Sequence, residues 1–172
     1  MPSDLIPNET RQLVVFSKRN LLSKIGNIQY LIVAFLEALL LALILAWFTR
    51  YETDAGYFFS ENKNIPQYLF MAVVVALFIG LTISAEEIIK DRRILLRESY
   101  LNLSWFSYIN SKVFYLFGLS AIQTMLFVLV GNIVLGNPEM IPAYWIVLFS
   151  TACFANLLGL NLSSGLKSVI AI

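Results

Sequence analysis

Charged residues fall almost entirely between four long apolar stretches of this chain. Tyr30 to Phe48 is apolar apart from Glu37, while Pro66 to Ser84, Val113 to about Val134 and Pro142 to about Leu162 carry no charge at all. Each is close to the roughly 20 residues an α-helix needs to cross roughly 30 Å of hydrocarbon. An ionised side chain at the centre of such a segment costs about 2.5–3.5 kcal/mol, so the gaps between charges mark the spans. Lipid offers backbone N–H and C=O groups no partner, which makes the spans helices. The pattern predicts an all-α integral membrane protein with four transmembrane helices, at about 30–48, 66–84, 113–134 and 142–162. The first span begins far from the start and is followed by no small-residue cleavage motif, so it reads as part of the mature protein, not a signal peptide.

Composition agrees. Of 172 residues, 59% are hydrophobic and 13% charged, with a mean hydropathy of +0.76. A net charge of +1, with no phosphate-binding glycine loop and no basic-aromatic interleaving, argues against nucleic acid as a partner. One cysteine, Cys153, and no histidine exclude disulfide frameworks, the usual zinc sites and histidine-based triads within the chain. Cys153 itself reads as a small packing residue. No catalytic, cofactor or metal residue is expected.

The distribution of Lys and Arg orients the spans. Arg11, Lys18, Arg19 and Lys24 precede the first; Lys90, Arg92, Arg93, Arg97 and Lys112 lie between the second and third; Lys167 follows the fourth. The other two loops hold only Arg50 and Lys63. The positive-inside rule puts the N-terminus, the second loop and the C-terminal end in the cytoplasm, in a plasma (inner) membrane. Trp47, Tyr51, Tyr144 and Trp145 near one interface, and Trp105, Phe106 and Tyr108 near the other, fit aromatic belts.

Two flanking segments have their own periodicity. Between Thr10 and Ile28, Leu13, Val14, Leu21, Ile25 and Ile28 recur at roughly helical spacing among basic residues. That predicts an amphipathic helix over 10–28 lying on the inner leaflet; a solvated basic flank is the alternative. The second segment, "SAEEIIKDRRILLRES" at 84–99, balances four bases against four acids. Its periodicity predicts a helix over about 85–100, with Ala85, Ile88, Ile89, Leu95, Leu96 and Tyr100 on one face. Glu86, Glu87, Lys90, Asp91, Arg93, Arg97 and Glu98 fill the other. A helix made only for anionic lipid is rich in bases, so mixed charge fits a protein partner better. The alternative is a solvated loop whose charges pair at i,i+4, as Glu86 with Lys90 would, although Glu87 and Asp91 stand opposed.

The order of basic amphipathic helix, span, outer loop, span, charged helix and "RESYLNLSWFSYINSK" running into the third span resembles the membrane domain of type-2 ATP-binding-cassette exporters. The likeness is to the bacterial type of the group that includes the G-subfamily half-transporters. In that family an Arg-Glu pair, matched here by Arg97 and Glu98, precedes a Tyr and a Lys at the start of span three, matched by Tyr108 and Lys112. "NLLGLNLSSGLKSV" resembles the end of the family's fourth span. The resemblance covers residue 10 to the end and implies six spans, of which this sequence holds four: a partial transmembrane domain, 1–172. It also implies dimerisation with a second permease half and an ATPase domain, fused upstream or separate, that binds ATP and Mg. No G-x-x-x-x-G-K-[ST] sequence occurs here, so this chain alone is expected neither to bind ATP nor to transport. The helix after span two would be the coupling helix seated on the ATPase, with Glu87, Arg93, Arg97 and Glu98 at the interface.

Glu37 is the one ionisable side chain within a span. Ala34, Ala38, Ala42 and Ala46 run beside it at every fourth position, a stripe that lets another helix approach, so Glu37 is expected to face protein. It reads either as part of a translocation path or gate, paired with Lys112 or an Arg of the loop, or as a structural hydrogen-bonding or snorkelling group; the structural reading is slightly favoured. Gln123 and Asn156 read as interhelical hydrogen bonders before ligand contacts. Ser164 and Lys167 match S-x-x-K without the accompanying segments of an acylating enzyme. Asn8, Asn102 and Asn161 begin N-x-[ST] triplets on the expected inner side, where glycosylation is not expected. Apart from the resemblance, a four-span scaffold using the charged helix, or a membrane-embedded enzyme using Glu37, stays open. Two further spans and an ATPase in the flanking gene sequence would decide for the exporter.

Overall fold

The computed structural model describes residues 8–51, 59–85, 87–91 and 104–169. They form α1 (Glu9–Ile25), α2 (Ile28–Thr49), α3 (Ile65–Ala85), α4 (Glu87–Lys90), α5 (Trp105–Leu135) and α6 (Ile141–Val169), all helical, with short 3-10 turns at Phe59–Glu61 and Pro138–Met140. Four helical segments are long and apolar enough to cross a membrane: Ile28–Thr49, Ile65–Lys90, Trp105–Leu135 and Pro138–Gly165. The chain is a multi-pass membrane protein. The four spans expected from the hydrophobic pattern are the four that form.

Their ends differ, and the reasons are local. α1 stops at Ile25, not Ile28, because Gly26 and Asn27 break the helix; the Asn27 side chain accepts the Tyr30 N–H at 3.1 Å and starts α2. α5 has 31 residues, about 46 Å at 1.5 Å per residue, well beyond one hydrocarbon thickness. It begins at Trp105, ahead of Lys112, where the charge pattern had placed no span. Ser104 caps it, accepting the Ser107 N–H at 3.4 Å, and Gly136 ends it at φ 66°, a left-handed conformation natural to glycine.

The alanine stripe of α2 does what its spacing suggested. Ala34, Ala38, Ala42 and Ala46 are all buried, and α2 lies against α5 and α3 along them. Ala42 packs with Ala72, Ala76, Phe127, Val128 and Leu148; Ala46 packs with Tyr68 and Leu135. α3 and α6 pack closely at Gly80, where a Cβ would stand 2.7 Å from the Ala152 carbonyl oxygen and from the Ala155 Cβ. Gly80 is therefore a contact point and not a flexible joint. α1 runs beside the first half of α5, burying Phe16 and Asn20, while Val14, Leu21, Leu22 and Ile25 stay exposed.

Candidate functional site: a buried charge junction

The head of the charged segment, α4 and Asp91, enters the helix bundle beside α1, α5 and α6. Four charged side chains converge there. Lys112 of α5 places its Nζ 3.0 Å from Glu87 Oε2 and 2.6 Å from Asp91 Oδ2. Lys24 of α1 ion-pairs with the other carboxylate oxygen of Glu87. The side chains of Lys112 and Glu87 are 2% and 3% exposed, whereas those of Lys24 and Asp91 retain 18% and 22%. Two cations meet two anions, so the group is formally neutral and each buried charge has a counter-ion.

Uncharged groups complete the setting. The Tyr108 hydroxyl donates to Asp91 Oδ2 at 3.1 Å, and Phe16 and Trp105 pack edge-on against the Tyr108 ring at 6.4 and 6.0 Å. Lys24 Nζ also lies 4.7 Å from the centre of the Tyr30 ring, a cation–π contact. Asn20 donates to Ser111 Oγ at 2.9 Å, the Ser107 hydroxyl to the Glu9 carbonyl at 2.9 Å, and the Ser104 N–H to Gln12 Oε1 at 3.0 Å, fastening α1 along α5. On the far side, the Ile88 N–H donates to Ser163 Oγ of α6 at 3.2 Å. A single turn of helix is thus tied to three longer ones.

This arrangement corrects two expectations. Glu87, assigned to the charged face that meets a partner, points inward and is 2% exposed. Ile89, assigned to the apolar face, is 44% exposed. The charged and apolar faces of the first turn are rotated because the inward position is defined by Lys24 and Lys112, not by hydrocarbon. Arg93, Arg97 and Glu98 lie outside the described residues. Lys24, Asp91 and Lys112 were not among the expected site residues. The signal was present in the like-charged pair Glu87 and Asp91 at i,i+4, which only a shared cation makes favourable.

Within the spans, Glu37 is half-buried and forms no ion pair among the described residues. Lys112, offered as its partner, is committed to Glu87 and Asp91. Gln123 is fully buried and donates from Nε2 to the Ala34 carbonyl at 2.9 Å, joining α5 to α2. Asn156, also fully buried, donates to Ser120 Oγ at 2.8 Å, joining α6 to α5. Trp145 Nε1 donates to the Ala121 carbonyl at 3.1 Å. Towards the other end of the bundle, Tyr68, Leu69, Ala72, Val73, Val128, Tyr144, Val147 and Leu148 line an apolar cavity of about 210 Å³. Among the described residues, no group of three His, Cys, Asp or Glu side chains comes together to hold a metal.

The long apolar helices and the charged connector drawn into one end make up a membrane-spanning helical bundle. The model of the ABC-2 type transporter family matches residues 11–172, and the chain belongs to that family. It is a membrane permease component of the ATP-binding-cassette class, a non-catalytic transport part. Members of the family work with an ATPase domain and as dimers in a membrane. No curated protein and no solved structure matches the chain.

Proposed function

We propose that the chain is the permease portion of an exporter of the G-subfamily-like type, with its N-terminus and charged loop in the cytoplasm. The segment following α4 then acts as the coupling element seated on the ATPase. Arg93, Arg97 and Glu98 would meet the ATPase, and Glu87 would anchor the element instead of touching the partner. The observation that carries this reading is the attachment of α4 to α1, α5 and α6 at once. A push on a connector held by three helices is delivered to the spans, whereas a push on a solvated loop is absorbed by the loop.

The remaining features support the same orientation. In the sequence, ten of the twelve Lys and Arg residues lie before the first span, between the second and third spans or after the fourth, the segments the positive-inside rule assigns to the cytoplasm. α1 carries Arg11 and Lys18 on its exposed surface with Val14, Leu21 and Ile25, a surface suited to the anionic inner leaflet. The apolar lining of the cavity between α3, α5 and α6 suits a hydrophobic cargo better than a charged one.

Reversal of charge in the loop tests this. In the assembled transporter, Arg93→Glu with Arg97→Glu should leave membrane insertion and dimer recovery intact while transport and substrate-stimulated ATP hydrolysis fall together. Acid-to-base changes on the ATPase surface should restore part of both. Unchanged transport at normal expression would reduce the loop to a spacer.

A further inference from the structure

We propose that Lys112 is the positioning residue that fixes the start of the charged loop to the long span α5, and that this anchor, resting on the coupling role above, sets how much ATP-driven motion reaches the spans. Three features single it out. First, its ammonium is a compact point charge with three donors, and it pairs with two carboxylates four positions apart in one segment, Glu87 at 3.0 Å and Asp91 at 2.6 Å. Second, Lys112 sits inside a continuous helix of 31 residues, so a force applied at its head group is passed to a rigid element. Third, the two carboxylates have unequal support without it. Glu87 keeps Lys24, while Asp91 keeps only the Tyr108 hydroxyl among its described partners.

That inequality predicts a specific failure. Removing the Lys112 charge releases the Asp91 side of the turn, where the loop leaves for the partner, while Glu87 remains held to α1 through Lys24. The bundle should stay folded and the loop should slip. A purely structural lysine would instead weaken the whole bundle, with each surviving assembled molecule still transporting normally per ATP hydrolysed.

The test uses the complete transporter, ATPase included, in nanodiscs. Lys112→Met should raise amide exchange of residues 87–91 by at least about tenfold, because local opening then precedes global unfolding. Exchange in Ile65–Ala85 should not change. Transport per ATP hydrolysed should fall several-fold, and Lys112→Glu combined with Asp91→Lys, which restores a neutral group, should recover part of both readouts. Should Lys112→Met fail to assemble, Asp91→Asn removes the same contact from its more exposed side and should give the same pair of effects in weaker form. Unchanged exchange at 87–91 would overturn the anchor; raised exchange with unchanged transport per ATP would overturn its role in coupling. If Lys112→Met uncouples while the Arg93, Arg97 reversal does nothing, the anchor stands and the ATPase-facing assignment of the loop fails instead.

Discussion

Lys112 and Glu87 are 25 positions apart in sequence and 3.0 Å apart in the fold, and both are nearly sealed from solvent. A buried ion pair contributes little net stability over a well-packed apolar pair, but breaking one by removing a single partner costs about 3–5 kcal/mol, because the other charge is left uncompensated. Glu87→Gln takes from Lys24 its carboxylate and leaves Lys112 with Asp91. We expect it to lower stability by about that amount, read from denaturant unfolding of the permease in mild detergent. Lys24→Met should cost less, since Lys24 is 18% exposed and Glu87 keeps Lys112. Equal losses for the two would mean that Glu87 is not the shared centre of the group.

The approach of α3 to α6 gives a second expectation. A Cβ at Gly80 meets the Ala152 carbonyl oxygen at 2.7 Å, whereas a Cβ at Gly118 meets nothing within 4 Å. Gly80→Ala should therefore destabilise by about 1–3 kcal/mol through overpacking. Gly118→Ala should be neutral or stabilising by up to about 1 kcal/mol through helix propensity. Thermal unfolding of the two variants side by side separates the effects, and a tolerated Gly80→Ala would refute the tight contact.

The spans were legible in the sequence because one rule governs them: charges are excluded from hydrocarbon, and their gaps give helix positions directly. The same rule misjudged α5. It counted Lys112 as a boundary, while the fold accepts Lys112 inside the helix once Glu87 and Asp91 neutralise it. Periodicity likewise found a helical turn after span two but turned Glu87 outward, since a hydrophobic face is defined against lipid and this turn is oriented by two lysines distant in sequence. The Ala34–Ala46 stripe succeeded because close helix packing needs only local side-chain size. Pairings such as Lys24 with Glu87 depend on which helices become neighbours, which no local pattern carries.

Orientation rests on the placement of Lys and Arg and can be measured directly. In a Cys153→Ser background, cysteines at Lys63 and Glu139, both exposed, should react with an impermeant maleimide added outside intact cells, and one at Lys18 should not. Asn62 is a poor labelling site for this purpose, being 6% exposed and donating to the Thr49 carbonyl at 3.2 Å. The opposite labelling pattern would invert the protein and remove the charge junction from the side where ATP is hydrolysed.

Glu37 offers the clearest separation of structure from transport. It sits beside the buried Ala34 and Ala38, half-buried itself, and forms no ion pair among the described residues. An ionised side chain facing lipid at the centre of a span costs about 2.5–3.5 kcal/mol, which favours a hydrogen-bond donor supplied by a neighbouring membrane helix. Glu37→Gln keeps the volume and the capacity to hydrogen-bond while abolishing ionisation. If the side chain only joins helices, the variant in the complete transporter should express normally and retain most of its transport. Glu37→Leu should then impair assembly, because it removes the capacity to hydrogen-bond as well as the charge. Should Glu37→Gln instead abolish transport at normal expression, with ATP hydrolysis still responsive to substrate, the group would be ionising during the cycle, and Glu37 would belong to the translocation path and not to the packing of α2.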